Sequence, residues 1–294
     1  MTGAEYRRRD GRAEGVPLPF DLPTPASLGM PLALNAFLVL GISLAAFLTR
    51  TLTGTGALAA AAVGGAVLAG TGWVGGAALV AFFVSSSAVS RLTERRQPAW
   101  VDAKGNRRDH WQVLANGGVA AIGGLSGLVN PALGLWIVVS SLAAAAADTW
   151  ATSLGALSRG DPRNALRWTR VPKGASGGVS LIGTLGGVAG ASVVAVAPML
   201  ACSPFPVSCS LFTLHWSLVT AVGVLGMLAD SVLGATLQAR FRCPACEAAS
   251  ERPVHRCGTP TVLTGGIRWL GNDAVNALAT AAAGAAGASW YFSF

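Results

Sequence analysis

The chain has 294 residues, 52% hydrophobic and only 12% charged, with 38 glycines and a net charge of +8. A soluble domain averages about 25% charged residues, so this composition excludes a soluble globular domain and points to an all-α, polytopic membrane helix bundle. Gly and Ala run through the apolar stretches, as expected where helices in lipid associate by close packing.

Residues 1–27 form a polar tail with Arg7, Arg8, Arg9 and Arg12 and a Pro-rich stretch over 16–25. This composition predicts disorder. Residues 28–294 read as a single transmembrane helical domain. About 20 apolar residues span a bilayer, and eight spans are predicted: 28–48, 52–70, 73–92, 111–129, 132–152, 176–200, 214–238 and 272–292. The loops after the third, fifth and seventh spans are basic. They carry Arg95, Arg96, Arg107 and Arg108; then Arg159, Arg163, Arg167, Arg170 and Lys173; then Arg240, Arg242, Arg252, Arg256 and Arg268. Short cytoplasmic loops collect such residues. The protein is therefore expected in the plasma membrane with these loops cytoplasmic, and only the N-terminal tail dissents. Arginine forks also match phosphate oxygens, so the loops are candidates for phosphate binding as well. No nucleic-acid partner is expected.

Polar groups in the spans gather toward the basic side. Asp148 and Thr152 close the fifth span, and Asp230, Gly234 and Gln238 run down the end of the seventh. Asn272, Asp273 and Asn276 open the eighth, and Gln112 and Asn116 lie near the start of the fourth. Spacings of four place each set on one helix face. A charge at the centre of a membrane helix costs roughly 2.5–3.5 kcal/mol, so Asp148, Asp230 and Asp273 are functional candidates. Amides in spans also serve as glue between helices. Two carboxylates with amide oxygens suit Mg²⁺, which keeps water and phosphate among its ligands. The Gly-rich segment Arg170-Val-Pro-Lys-Gly-Ala-Ser-Gly-Gly178 opens the sixth span in this reading. Free N–H groups there favour an anion. A faint repeat joins Gly117-Gly-Val-Ala-Ala-Ile-Gly123 to Gly177-Gly-Val-Ser-Leu-Ile-Gly183.

The loop 239–268 holds Cys243, Cys246, His255 and Cys257 in the pattern C-x2-C-x8-H-x-C. Thiolate and imidazole together suit a structural Zn²⁺; a redox pair is the other reading. Cys202 and Cys209 share the opposite loop, where an oxidising side would allow a disulfide.

Ala147-Asp-Thr-Trp-Ala-Thr-Ser-Leu-Gly155, Val171-Pro-Lys-Gly-Ala-Ser-Gly-Gly178, Ala229-Asp-Ser-Val-Leu-Gly-Ala-Thr-Leu-Gln238, Asn272-Asp-Ala-Val-Asn276 and Gln112-Val-Leu-Ala-Asn-Gly-Gly118 form a set. It resembles an integral membrane family that includes plant phytyl-phosphate kinase and the animal transmembrane protein 19. The resemblance covers nearly all of the chain after about Leu32. It implies a membrane-embedded kinase that transfers phosphate from a nucleoside triphosphate, CTP favoured, to an isoprenoid monophosphate such as phytyl or geranylgeranyl phosphate. Asp148, Asp230 and Asp273 are then the expected catalytic residues, with Mg²⁺ on Asp148 and Asp230. Asn116, Thr152, Arg170, Lys173, Gly174, Ser176, Gly177, Gly178, Gln238, Asn272 and Asn276 are expected around donor and acceptor. Family members often carry Glu where this chain has Ser153, a departure that bears on activity. A transporter or flippase using the same acids as proton or cation sites is the alternative. Self-association into a homo-oligomer is left open.

Overall fold

The computed structural model describes residues 32–94, 107–202, 210–250 and 252–293. The tail expected to be disordered lies outside them, as do Arg95, Arg96 and Cys209. The described residues form seven helical elements: α1 (Leu32–Leu48), α2 (Gly54–Thr93), α3 (His110–Gly127), α4 (Pro131–Gly155), α5 (Leu181–Cys202), α6 (Ser210–Thr236) and α7 (Asn272–Tyr291).

Local chemistry fixes the helix ends. Thr53 accepts from Gly56 N and caps α2, and Asp109 and Gln112 close a reciprocal capping box on α3. Asn130 caps α4, with Pro131 in its first turn. Each such cap is worth about 1 kcal/mol. Gln112, read as a polar stripe with Asn116, thus spends its side chain on the helix start.

The predicted second and third spans form one element, α2, folded at Gly72 (φ 59°, ψ −156°). That backbone region is essentially restricted to glycine. Beyond the fold the two halves lie side by side: a Cβ built on Gly76 would lie 2.6 Å from Leu68 Cδ2, and one on Gly64 3.9 Å from Leu79 Cδ2. Counting α2 as two, eight helical rods run in alternating directions.

Contacts group the ends on two faces. On one, Thr53 N donates to Arg108 O, Arg91 Nη2 donates to Thr49 O at 2.9 Å, and the Ser90 and Ser153 hydroxyls meet at 3.3 Å. The described arginines of the loops after the second half of α2, after α4 and after α6 all lie on this basic face. On the other, Trp73 Nε1 donates to Ala201 O at 3.2 Å and Asn130 Nδ2 donates to Tyr291 Oη at 2.8 Å. Trp136, His215 and Trp290 stack edge-on there, with ring centroids 5.6 and 6.0 Å apart.

The centre is α4, which packs against α2, α3, α5, α6 and α7. Residues Ser140 through Ala147 are buried without a break. Ala143, Ala144, Ala146 and Ala147 meet glycines on their neighbours: a Cβ on Gly223 would come within 2.9 Å of Ala143, and one on Gly226 within 2.6 Å of Ala144. Small residues on both sides let backbones approach closely, and an added methyl has no room.

Among the described residues, four helices are long and apolar enough to cross a membrane: Gly54–Thr93, Pro131–Gly155, Leu181–Ala201 and His215–Thr236. The eight spans read from sequence are thus met by length and composition in four elements. The described part of α1 has only 17 residues, and α3 has 18. Both α3 and α7 open on polar residues and continue in Gly and Ala, which lowers their apolar content. The all-α expectation is also amended. Small antiparallel sheets sit in the basic-face loops: β1 (Arg163–Asn164) pairs with β2 (Gly178–Val179), and β3 (Arg240–Arg242) lies between β4 (Ala249–Ser250) and β5 (Val262–Gly265).

Candidate functional site

A cavity of about 170 Å³ lies among the basic-face ends of α4, α5 and α6. Helix α4 lines it with Asp148, Ala151, Thr152 and Gly155, and α6 with Met227, Asp230 and Ser231. Spacings of three and four give each helix one inward stripe. Gly183 and Thr184 enter from α5, Lys173 through Ser180 from the preceding loop, and Gln238 and Asn272 from beyond α6 and the start of α7.

The loop is shaped by backbone needs. Gly174 and Gly177 have φ of 82° and 74°, and a Cβ on Gly177 would fall 2.6 Å from Ala235 Cα. Glycine is required at 177 twice over, for its torsion and for its contact with α6. Gly178 N closes a turn on Ala175 O at 3.1 Å, and Ala165 N donates to Gly177 O at 2.9 Å. Lys173 Nζ donates to Ser158 O at 2.6 Å, tying the lysine to the chain just beyond α4. Ser180 Oγ accepts from Gly183 N at 3.1 Å and caps α5.

Asp230 is half-buried, and its Oδ2 is buried with no hydrogen-bond partner among the described residues. An orphaned buried oxygen is costly unless a donor or cation reaches it. Asp148 lines the same cavity. The donor set is therefore two carboxylates, hydroxyls, two amides and a lysine, which fits a hard divalent cation beside an anion.

Ten predicted residues meet here: Asp148, Thr152, Lys173, Gly174, Ser176, Gly177, Gly178, Asp230, Gln238 and Asn272. Their local setting differs in two places. Ser176, Gly177 and Gly178 do not open a helix; α5 begins at Leu181, and the three lie in a turn that runs into β2. This removes the helix-start argument for them and breaks the repeat with Gly117, which sits inside α3. Gln238 follows the end of α6 and is buried. Four other predicted residues do not line the cavity. Arg170 is exposed on the loop. Asn116 Nδ2 donates to Gln112 O of its own helix at 2.9 Å. Asp273 and Asn276 lie in the first turns of α7, where Asn276 Oδ1 is buried without a hydrogen-bond partner among the described residues. Ser153 also points elsewhere, buried against Ser90 of α2. Sequence reading missed Ser180 and Ser231. Ser180, three residues before Gly183 at the start of an apolar run, has the position of a helix cap.

Beside the cavity, the β4-β3-β5 sheet carries the Cys/His group. The ligand atoms of Cys243, Cys246, His255 and Cys257 all lie within 4.8 Å of one another. Cys243 Sγ is 3.6 Å from Cys257 Sγ, and His255 Nδ1 is 3.0 Å from Cys257 Sγ. Two turns present them. Cys246 N donates to Cys243 Sγ at 3.5 Å ahead of Glu247 at φ 55°, and Gly258 N donates to His255 O at 2.8 Å with φ 85°. Hydrogen bonding with Thr259, then His255, holds the Cys257 thiol down to about 5, whereas bonding with Cys257 pushes Cys246 up to about 11. The four atoms converge closely enough to hold a metal ion.

Comparison with known proteins agrees with the membrane character. Residues 37–284 match the family model described as integral membrane protein DUF92, and the chain belongs to that family. It is 30% identical over 225 residues to Protein PGR of Arabidopsis thaliana, covering 68% of this chain and 76% of that protein. It is 32% identical over 162 residues to an uncharacterized membrane protein of Methanocaldococcus jannaschii, covering 54% of this chain and 63% of that one. No solved structure matches the chain.

Proposed function

We propose that this DUF92 protein is a membrane-embedded phosphotransferase that uses a nucleoside triphosphate, CTP favoured, to convert an isoprenoid monophosphate to its diphosphate. The observation that carries the reading is the convergence of Asp148, Asp230, Lys173 and the 174–178 turn on one cavity, with Asp230 Oδ2 orphaned. The family resemblance read from sequence supports the substrate class.

Asp148 and Asp230 would hold Mg²⁺, which when bound neutralises charge on the donor phosphates. Lys173 offers ammonium protons to a phosphate oxygen, and the side-chain-free backbone at Gly174, Gly177 and Gly178 lets an anion approach closely. Asn272 and Gln238 supply neutral donors at the rim. An acceptor phosphate oxygen forms the new bond to the γ-phosphorus, and the bond to the nucleoside diphosphate breaks. The acceptor is already anionic, so no general base is needed. Phosphoryl transfer asks mainly for positioning and charge stabilisation, which this inventory provides. The isoprenoid tail lies against the apolar helices.

The same reading has all eight rods crossing the plasma membrane, the basic face cytoplasmic and Zn²⁺ on the four Cys/His ligands. Incubating the purified protein with phytyl or geranylgeranyl monophosphate, Mg²⁺ and each labelled nucleoside triphosphate tests it. Diphosphate product is expected with at least one donor. Absence of product with every donor, alongside acid-dependent flux in proteoliposomes, would instead establish a transporter.

A further inference from the structure

Phosphate handling in the cavity leaves the arginines of the 156–180 loop without a task. None of Arg159, Arg163, Arg167 or Arg170 lines the cavity, all four are exposed, and among the described residues none is in an ion pair. Arg163, Arg167 and Arg170 are carried on a well-built hairpin. Asn164 N donates to Thr169 O at 2.8 Å, and Asn164 Oδ1 accepts from Leu166 N and Arg167 N, both at 3.0 Å. Val171 N donates to Pro162 O at 2.9 Å. Trp168 is held at φ 57°, with the Arg163 guanidinium 5.7 Å over its ring and Arg163 Nη1 donating to its carbonyl at 2.9 Å. All this order presents apolar side chains to the outside: Trp168 is 62% exposed and Leu166 56%.

Two other exposed tryptophans stand at helix ends on the same basic face as the hairpin. Trp111 is exposed in the first turn of α3. Trp269 is exposed three residues before α7, on a strand of chain whose Ile267 N donates to Leu237 O beside the end of α6. The hairpin itself joins α4 to α5, and Lys173 ties it to Ser158 just past α4. Tryptophans exposed at helix ends mark the headgroup layer, and basic residues there draw anionic lipid. An amphipathic tip of Leu and Trp flanked by arginines suits that layer better than water.

We propose that the 162–171 hairpin docks on anionic phospholipid headgroups, with Leu166 and Trp168 in the interfacial layer and Arg163, Arg167 and Arg170 on lipid phosphates. The proposal stands whether or not the cavity transfers phosphate. The test uses the full chain in nanodiscs containing lipid brominated near the headgroup, with Trp168→Phe as the difference control. In phosphatidylglycerol-rich discs the Trp168 part of the emission should be quenched by bromine and shielded from aqueous acrylamide. The shielding should weaken in phosphatidylcholine discs at high salt, and the triple variant Arg163→Ala, Arg167→Ala, Arg170→Ala should lose the preference for anionic lipid. Emission quenched by acrylamide and untouched by bromine in both lipids would put the hairpin in water and overturn the proposal. Equal quenching in both lipids, unchanged in the triple variant, would overturn its anionic part. Displacement by excess inorganic pyrophosphate would assign the arginines to soluble phosphate instead.

Discussion

The cavity and the Cys/His module are neighbours on the basic face, yet they are built in opposite ways. The module gathers four side chains from within residues 243–257, using two tight turns on a three-stranded sheet. The cavity gathers residues as far apart as Asp148 and Asn272, and it exists only because glycines let α4, α5, α6 and the 174–178 turn approach closely. One site is made by ligands, the other by the absence of side chains. Damage should therefore stay local in the module and spread through the bundle from the cavity.

The largest expected effect is on chemistry alone. Asp230→Asn and Asp148→Asn should each cut diphosphate formation by more than the roughly 10–100-fold that outer metal partners cost, with the purified protein still eluting as a folded species. Ser153→Glu probes the same helix on the side away from the cavity. A carboxylate buried there against Ser90 would be taken out of water, so thermal unfolding should show a loss of about 3–5 kcal/mol with no gain in turnover. A stable and faster variant would show that the cavity extends to α2. Gly177→Ala adds a methyl where the torsion and Ala235 both forbid it, and should cost about 1–3 kcal/mol while lowering turnover. An Ala variant with unchanged stability would break the claim that the cavity rests on glycine. Smallest for turnover is Cys243→Ser. Metal analysis should show the zinc gone and limited proteolysis should open residues 240–265, while diphosphate formation falls by less than about tenfold. The module also carries a pH signature. A thiol held down to about 5 favours the folded, metal-binding form at pH above the ordinary thiol value, and that advantage is lost as pH falls through about 5. Zinc retention should therefore hold at neutral pH and collapse near 5; retention well below that would assign the metal to other ligands.

The difference in construction also explains what sequence could reveal. The module was legible because its ligands are close in the chain and their spacing is the signal. Asp148, Asp230 and Asn272 were legible as polar residues out of place in apolar runs, and their convergence was inferable from charge on the loops. The end of the loop was not. Ser176–Gly178 precede an apolar run and look like its first turn, but Gly174 and Gly177 take positive φ and hold the chain as a turn until Ser180. Asn116 looked like a site residue because it shares a helix stripe with Gln112 and falls in a motif of the resemblance, yet its Nδ2 donates to the Gln112 carbonyl of its own helix and it does not line the cavity. The fold at Gly72 was readable only as a gap between two apolar stretches, since no loop sequence marks it.

That corner has a consequence for how the protein can be reached. One residue turns α2 back on itself, and only Leu128, Val129 and Asn130 separate α3 from α4 on the same face. These connections leave almost no chain to hold an epitope, a cleavage site or a sugar. A tag inserted at either would split a packed helix pair, while the loops of the opposite face accept insertions of ordinary length. These two connections therefore offer a binder or a protease almost nothing to grip on that face.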